Sequence, residues 1–156
     1  MSKEGPVDEG AALDELVTRV RRGLVAAYGS EVGCESAQDV AEWAWEHREE
    51  LWTKRNPAGY LYRVGQSRSR RYRRQPVQLP PERALTDDTP ISDGRLPAEL
   101  ARLSQRQRTA VLLVHAHGYS LSEAAATLGC SISSLRNHLT RGLRHLRDAL
   151  EESSDR

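Results

Sequence analysis

The passage Leu121-Ser-Glu-Ala-Ala-Ala-Thr-Leu-Gly-Cys-Ser-Ile-Ser-Ser-Leu-Arg-Asn-His-Leu139 leaves few options for the chain that contains it. Two helical patterns meet at Gly129-Cys130-Ser131. Ser120 and Glu123 have the spacing of a capping box, and Leu121, Ala124, Ala125 and Leu128 form a face of small side chains. Ser131 caps a second helix from Ile132, whose apolar side runs through Leu135, Leu139, Leu143, Leu146 and Leu150. Alanines let two helices cross closely, Gly129 permits the turn, and Ile132 and Leu135 are expected to pin the second helix into a core. This is the pattern of a helix-turn-helix. It leaves Ser133, Ser134, Arg136, Asn137, Thr140 and Arg141 outward or near the exposed first turn, which in such a motif enters the major groove of DNA. Arg136 and Asn137 suit base edges, while Arg141, Arg144 and His145 suit phosphates. Upstream, Ser104-Gln-Arg-Gln107 again has capping-box spacing and opens a helix through Val111, Leu112, Val114 and His115 that Gly118 ends.

The rest of the chain fits the same class. It has 156 residues, 38% hydrophobic and 5% aromatic, with no Phe. No long run alternates between apolar and polar, so a large sheet is excluded and an all-α protein of two small helical domains is expected. Formal net charge is +1, yet charge is sorted along the sequence. Glu31 to Glu50 holds seven acidic residues against one Arg, whereas Lys54 to Arg74 holds eight basic residues and no acid. Arg136 to Arg147 adds four Arg without an acid. Two basic segments suggest two contacts with a polyanion, and the acidic one calls for a different partner.

Residues 1–11 read as a polar leader. A first helix is expected near Ala12, with Leu13, Leu16, Val17, Val20 and Leu24 on one stripe and Gly29-Ser30 closing it. A second is expected from Ser36, capped by Ser36 with Asp39, through Trp52. Val40, Ala44, Trp45, Leu51 and Trp52 would line its inner face, with Trp43 pointing elsewhere as an interface residue. Asn56-Pro57 reads as cap and first residue of a third helix, apolar at Tyr60, Leu61 and Val64 and basic from Gln66 to Arg74. If interior, Gly59 and Gly65 weaken it by about 1 kcal/mol each relative to Ala. Five of the seven prolines fall between Gln75 and Pro97. The expected organisation is therefore a domain at 12–74, a flexible Pro-rich linker at 75–97 and a helix-turn-helix domain at 98–151.

Cys34 and Cys130 stand alone, without the spacing of a zinc site or a disulfide framework, so neither metal nor cofactor is expected. Cys130 is expected to fill a small apolar niche at the turn. No secretory leader or membrane-length apolar run is present, which suits a cytoplasmic protein. His115 and His117 lack the Cys, Ser or carboxylate partners that would make a catalytic site, and an enzyme is not expected.

Taken together, the two halves resemble a bacterial RNA polymerase sigma factor of the small extracytoplasmic-function type, over about residues 12–151. The sharper match is C-terminal: Leu103-Ser-Gln-Arg-Gln-Arg-Thr-Ala-Val-Leu-Leu113, then Gly118 to Gly129, then Ser131 to Arg147. The resemblance implies that this domain reads the promoter element near minus thirty-five through the helix starting at Ile132 and touches the flap of the polymerase beta subunit. Ser36-Ala-Gln-Asp-Val-Ala-Glu-Trp-Ala-Trp45 resembles the family's stretch that docks on the clamp helices of the largest subunit. That implies polymerase contacts at Asp39, Glu42, Trp43 and Glu46, and an acidic helix suits a basic protein surface. Asn56 to Arg71 resembles the segment that reads the element near minus ten, implying contacts from Arg63, Gln66, Ser67, Arg70, Arg71 and Arg74 to duplex DNA and the unpaired non-template strand. Tyr60 and Tyr62 include one candidate for base stacking and at least one core residue. The implied partners are core polymerase, promoter DNA and, as for many relatives, an anti-sigma protein; the free chain is expected to be a monomer. The family commonly has Phe where Trp45 stands, and the loop Thr53 to Arg55 is short. The rival reading is a stand-alone helix-turn-helix regulator, which would dimerise on a palindrome.

Overall fold

The computed structural model describes residues 8–72 and 95–154. All the elements there are helical: α1 (Glu9–Tyr28), α2 (Ser30–Glu46), α3 (Arg48–Trp52), α4 (Pro57–Ser69), α5 (Arg95–Arg102), α6 (Gln105–Val111), α7 (Leu121–Leu128) and α8 (Ile132–Ser154). A π-helical turn, Leu112–Ala116, carries α6 onward, and His117 N–H donates to the Leu112 carbonyl at 3.0 Å. The expected all-α class holds. No described helix is long and apolar enough to cross a membrane. The leader residues 1–7, Arg74 and most of the Pro-rich segment lie outside the described residues; Arg95, Leu96 and Pro97, read as the linker's end, already belong to α5.

Local signals set most helix ends. The Asp8 carboxylate accepts from Gly10 N–H, so α1 starts three residues before the expected Ala12. Asn56 Oδ1 accepts from Gly59 N–H at 3.1 Å, with Pro57 at the first helical position as expected. At α7, Ser120 Oγ accepts from Glu123 N–H at 3.0 Å and the Glu123 carboxylate accepts from Ser120 N–H at 2.9 Å, closing the expected capping box. Gly129 then takes φ +65°, a left-handed value that a β-carbon would strain, and turns the chain into α8.

The expected start of α2 is corrected. Gly29 ends α1, and α2 begins at once at Ser30. Ser36 is buried inside the helix, its hydroxyl donating to the Val32 carbonyl at 2.7 Å rather than capping anything. The predicted continuous helix to Trp52 breaks at His47, giving α2 and α3. The third helix also ends earlier than expected, at Ser69.

Leu13, Val20, Leu24, Val40, Ala44, Leu51 and Leu61 are fully buried and form the core of the first four helices. A second cluster joins Leu100, Leu103, Val111, Leu112 and Leu146, and a third joins Ala110, Leu113, Ala124, Ala125 and Leu135 around the helix-turn-helix. Ala26 of α1 belongs to the second cluster, so the two halves pack against each other, α1 on α6 and α4 on α7.

Candidate nucleic-acid and polymerase interface

The exposed side of α8 sorts its residues by helical phase. Ser133, Arg136, Asn137, Thr140 and Arg144 succeed one another around one side of the helix and are exposed, forming one stripe. Ser134, His138 and Arg141 form the adjacent stripe and line cavities against the first domain. Ser131 Oγ accepts from Ser134 N–H at 3.1 Å and exchanges hydroxyl bonds with Ser133 and Ser134, fixing the first turn. Leu135 is fully buried, as the motif requires, but Ile132 is 41% exposed and does not pin the helix as expected. Cys130 is half-buried beside that core and also lines a cavity. Burial raises its thiol above the usual value, while Arg106 pulls it down.

On α4, Arg63, Ser67 and Arg70 are exposed and Gln66 half-buried; Arg70 caps the helix end and Arg71, exposed, lies in the turn beyond it. Arg63 lies at the turn of the other domain, its Nε 3.8 Å from where a β-carbon on Gly129 would stand. Arg63 and Gln66 share a cavity with Ser134, so part of the downstream-element set and part of the upstream-element set meet across one seam. Tyr62 is buried, which makes it the core member of the tyrosine pair. Its hydroxyl sits far above the usual tyrosine value, chiefly through burial and then through Tyr28, against hydrogen bonds from Gln105 and Thr109. Tyr60 stays half-exposed beneath Lys54, whose Nζ is 4.7 Å from the ring centre.

On α2, Glu42 and Glu46 are exposed and Asp39 is half-buried, its carboxylate accepting from Tyr72 Oη at 3.0 Å. That bond is the main reason the Tyr72 hydroxyl titrates above its usual value. The three tryptophans reverse the expected assignment. Trp43 packs against the core, stacked on His47 with ring centres 4.4 Å apart and 5.4 Å from Tyr60. Trp45 and Trp52, expected inside, are 45% and 39% exposed. Trp43 lies one step along the stripe set by Ser36 and Val40, whereas Trp45 is about 100° off Ala44.

Arg108 was missed in the sequence. It is 4% exposed, and it reaches from α6 into the other domain. Its Nε donates to the Ala26 carbonyl at 2.7 Å and its Nη2 to the Ala27 carbonyl, while Nη1 donates to Leu103 at 3.0 Å. The guanidinium thereby satisfies carbonyls of the last turn of α1, where the helix dipole favours a cation. Gln105 Nε2 donates to Tyr28 Oη at 3.1 Å and Asn56 Nδ2 to the Ala126 carbonyl at 2.7 Å, which adds two further ties between the halves. Local pattern could not disclose these ties, since their partners are far apart in sequence.

Among the described residues no cluster of His, Cys, Asp and Glu could hold a metal ion. His117 is half-buried, and burial, then Arg22, holds it below the usual imidazole value.

The fold and the exposed stripe of α8 define an all-helical protein with a helix-turn-helix domain, and residues 93–146 match the family described as sigma-70, region 4. Over most of its length the chain shares the fold of solved structures. It is similar to the sigma factor RpoE solved in complex with the anti-sigma factor NepR from Bartonella quintana, with a TM-score of 0.62 at 20% identity, covering 92% of this chain and 97% of that one. It is also similar to CnrH solved in complex with the cytosolic domain of CnrY, with a TM-score of 0.56 at 21% identity over 91% of this chain and 84% of that one. Comparison with curated protein sequences finds no match.

Proposed function

We propose that the chain is a sigma factor of the extracytoplasmic-function type that directs core RNA polymerase to promoters and assists their opening. The observation that carries the reading is the combination of a sigma-70 region 4 segment with a helical domain that is acidic on α2 and basic on α4, in the fold of known sigma factors. Residues 12–74 would be the polymerase-docking and downstream-element domain and residues 98–151 the upstream-element domain, with the Pro-rich segment setting their spacing.

In this reading Arg136 and Asn137 take base edges, with Ser133, Thr140 and Arg144 on the same exposed stripe at the groove walls. Arg63, Gln66, Ser67, Arg70 and Arg71 face the downstream element. Opening is driven by contacts made only to unpaired bases, which offset an unpairing cost of a few kcal/mol per base. Glu42 and Glu46 offer charge to a basic clamp surface. Trp45 and Trp52 supply the apolar centre of that contact, a role for which the half-buried Trp43 is less available. Asp39 acts partly through its bond to Tyr72, which ties α2 to the chain just after α4. By analogy with the sigma factor RpoE solved with the anti-sigma factor NepR, such an inhibitor is a further partner.

Transcription from a promoter library by bacterial core polymerase, with and without the chain, tests this. New start sites sharing two spaced motifs are expected. If duplex DNA is bound but no new start appears, the sigma reading falls and the dimeric regulator replaces it.

A further inference from the structure

Two cavities of about 300 and 520 Å³ lie along the seam between the domains and share Gln66, Gln105, Arg106 and His138 in their walls. Arg63 enters the seam from α4 and Arg70 from its C-terminal cap, Arg106 from α6 and Arg141 from α8. No carboxylate lines either cavity among the described residues. Cations thus face cations across a boundary held shut by neutral acceptors: the Ala26, Ala27 and Ala126 carbonyls and the Tyr28 hydroxyl. The field is felt by its neighbours. His138 is held below the usual imidazole value by burial and then by Arg106 and Arg141.

We propose that this seam is a binding site for a small polyphosphate anion, such as the phosphate chain of a nucleoside polyphosphate or a short inorganic polyphosphate, which bridges the two domains. Guanidinium forks bind phosphoryl oxygens in pairs, and several phosphoryl groups in a row can engage Arg63 and Arg70 on one wall and Arg106 and Arg141 on the other. The cavities fall in the usual size range for small-molecule sites, about 300–1,000 Å³. A duplex, whose major groove alone is about 12 Å wide, has no room there. The anion site exists only while the domains are packed together, so ligand stabilises that arrangement, by about a hundredfold at a free concentration a hundred times its Kd. Binding and bridging are consequences of the seam alone. Only the further effect, competition with promoter DNA for Arg63, Arg70 and Arg141, rests on the sigma reading.

Calorimetric titration of the full chain with sodium tripolyphosphate at near-physiological salt should give saturable one-to-one binding. Arg106→Gln, outside the residues assigned to DNA, should weaken it at least tenfold. Asn56→Ala and Arg108→Gln, which line neither cavity but loosen the domain contact, should each weaken it severalfold, with helical circular dichroism confirming that the variants remain folded. Absence of saturable binding at millimolar tripolyphosphate would overturn the site, as would unchanged affinity in Arg106→Gln. Unchanged affinity in both loosened variants would overturn bridging. Equal or tighter binding of an oligoglutamate peptide would replace the polyphosphate with an acidic polypeptide. The titration is independent of transcription, so it can succeed where the promoter assay fails, and the reverse.

Discussion

At the scale of single residues, Arg108 stands apart because its charge is buried with no carboxylate beside it among the described residues. Its compensation is the carbonyl ring at the end of α1, and the two domains are joined wherever that compensation is made. Arg108→Lys keeps the charge but loses the fork, and we expect a loss of about 1–3 kcal/mol in urea unfolding. Glu123 offers a test by pH. Its carboxyl lies below the usual value, chiefly because it accepts from Ser120 N–H. A depressed folded pKa means the contribution is present above the unfolded value of 4.5 and is lost as pH falls through the folded one. Glu123→Gln should therefore flatten the acid limb of the stability profile below about pH 4.5 relative to the parent. His117 behaves in the opposite chemical sense with the same direction in pH. Partial burial disfavours its charged form, so stability should drop as pH falls below the unfolded value of 6.5, and His117→Gln should remove that drop in thermal melts across about pH 5–7. The caps at Asn56, Ser120 and Ser131 were legible because donor and acceptor lie within three residues. The Arg108 bonds into α1 span 81 and 82 positions, and no local spacing encodes them.

Among elements, the helix-turn-helix was the most legible, because two caps, a left-handed glycine and an apolar stripe all specify it. The first half was read with errors of phase and boundary. The tryptophans illustrate the phase error: one residue along a helix is about 100°, enough to exchange inside and outside. Gly65 shows what propensity omits. It was counted as a weakness of α4, yet a β-carbon there would lie 2.5 Å from Leu24 Cδ1, so the missing side chain is what lets α1 and α4 approach. Gly65→Ala, favourable by helix propensity, should instead destabilise by about 1–3 kcal/mol in chemical denaturation.

For the whole molecule, sequence disclosed two halves of opposite character but not how they pack. Charge sorting foretold two basic surfaces, while the seam that brings part of each together depends on long-range contacts. On the proposed sigma-factor reading, Arg136→Ala should cost about 1–3 kcal/mol in affinity for the upstream element and relax preference at one base, read by competition binding. Arg144→Ala should weaken all duplexes alike and lower the salt slope by about one.

The wide turn at Leu112–Ala116 also bears on the aim of α8. A helix segment with one residue fewer would close as ordinary α-helix without re-aiming α7 and α8, because an i→i+5 turn spreads the extra residue over nearly the same rotation. Deleting the exposed His115 should then keep the exposed stripe of α8 pointing where it does and leave an ordinary helical turn behind. In this part of the chain an added residue is absorbed where it stands, and the orientation of the helices beyond it survives the insertion.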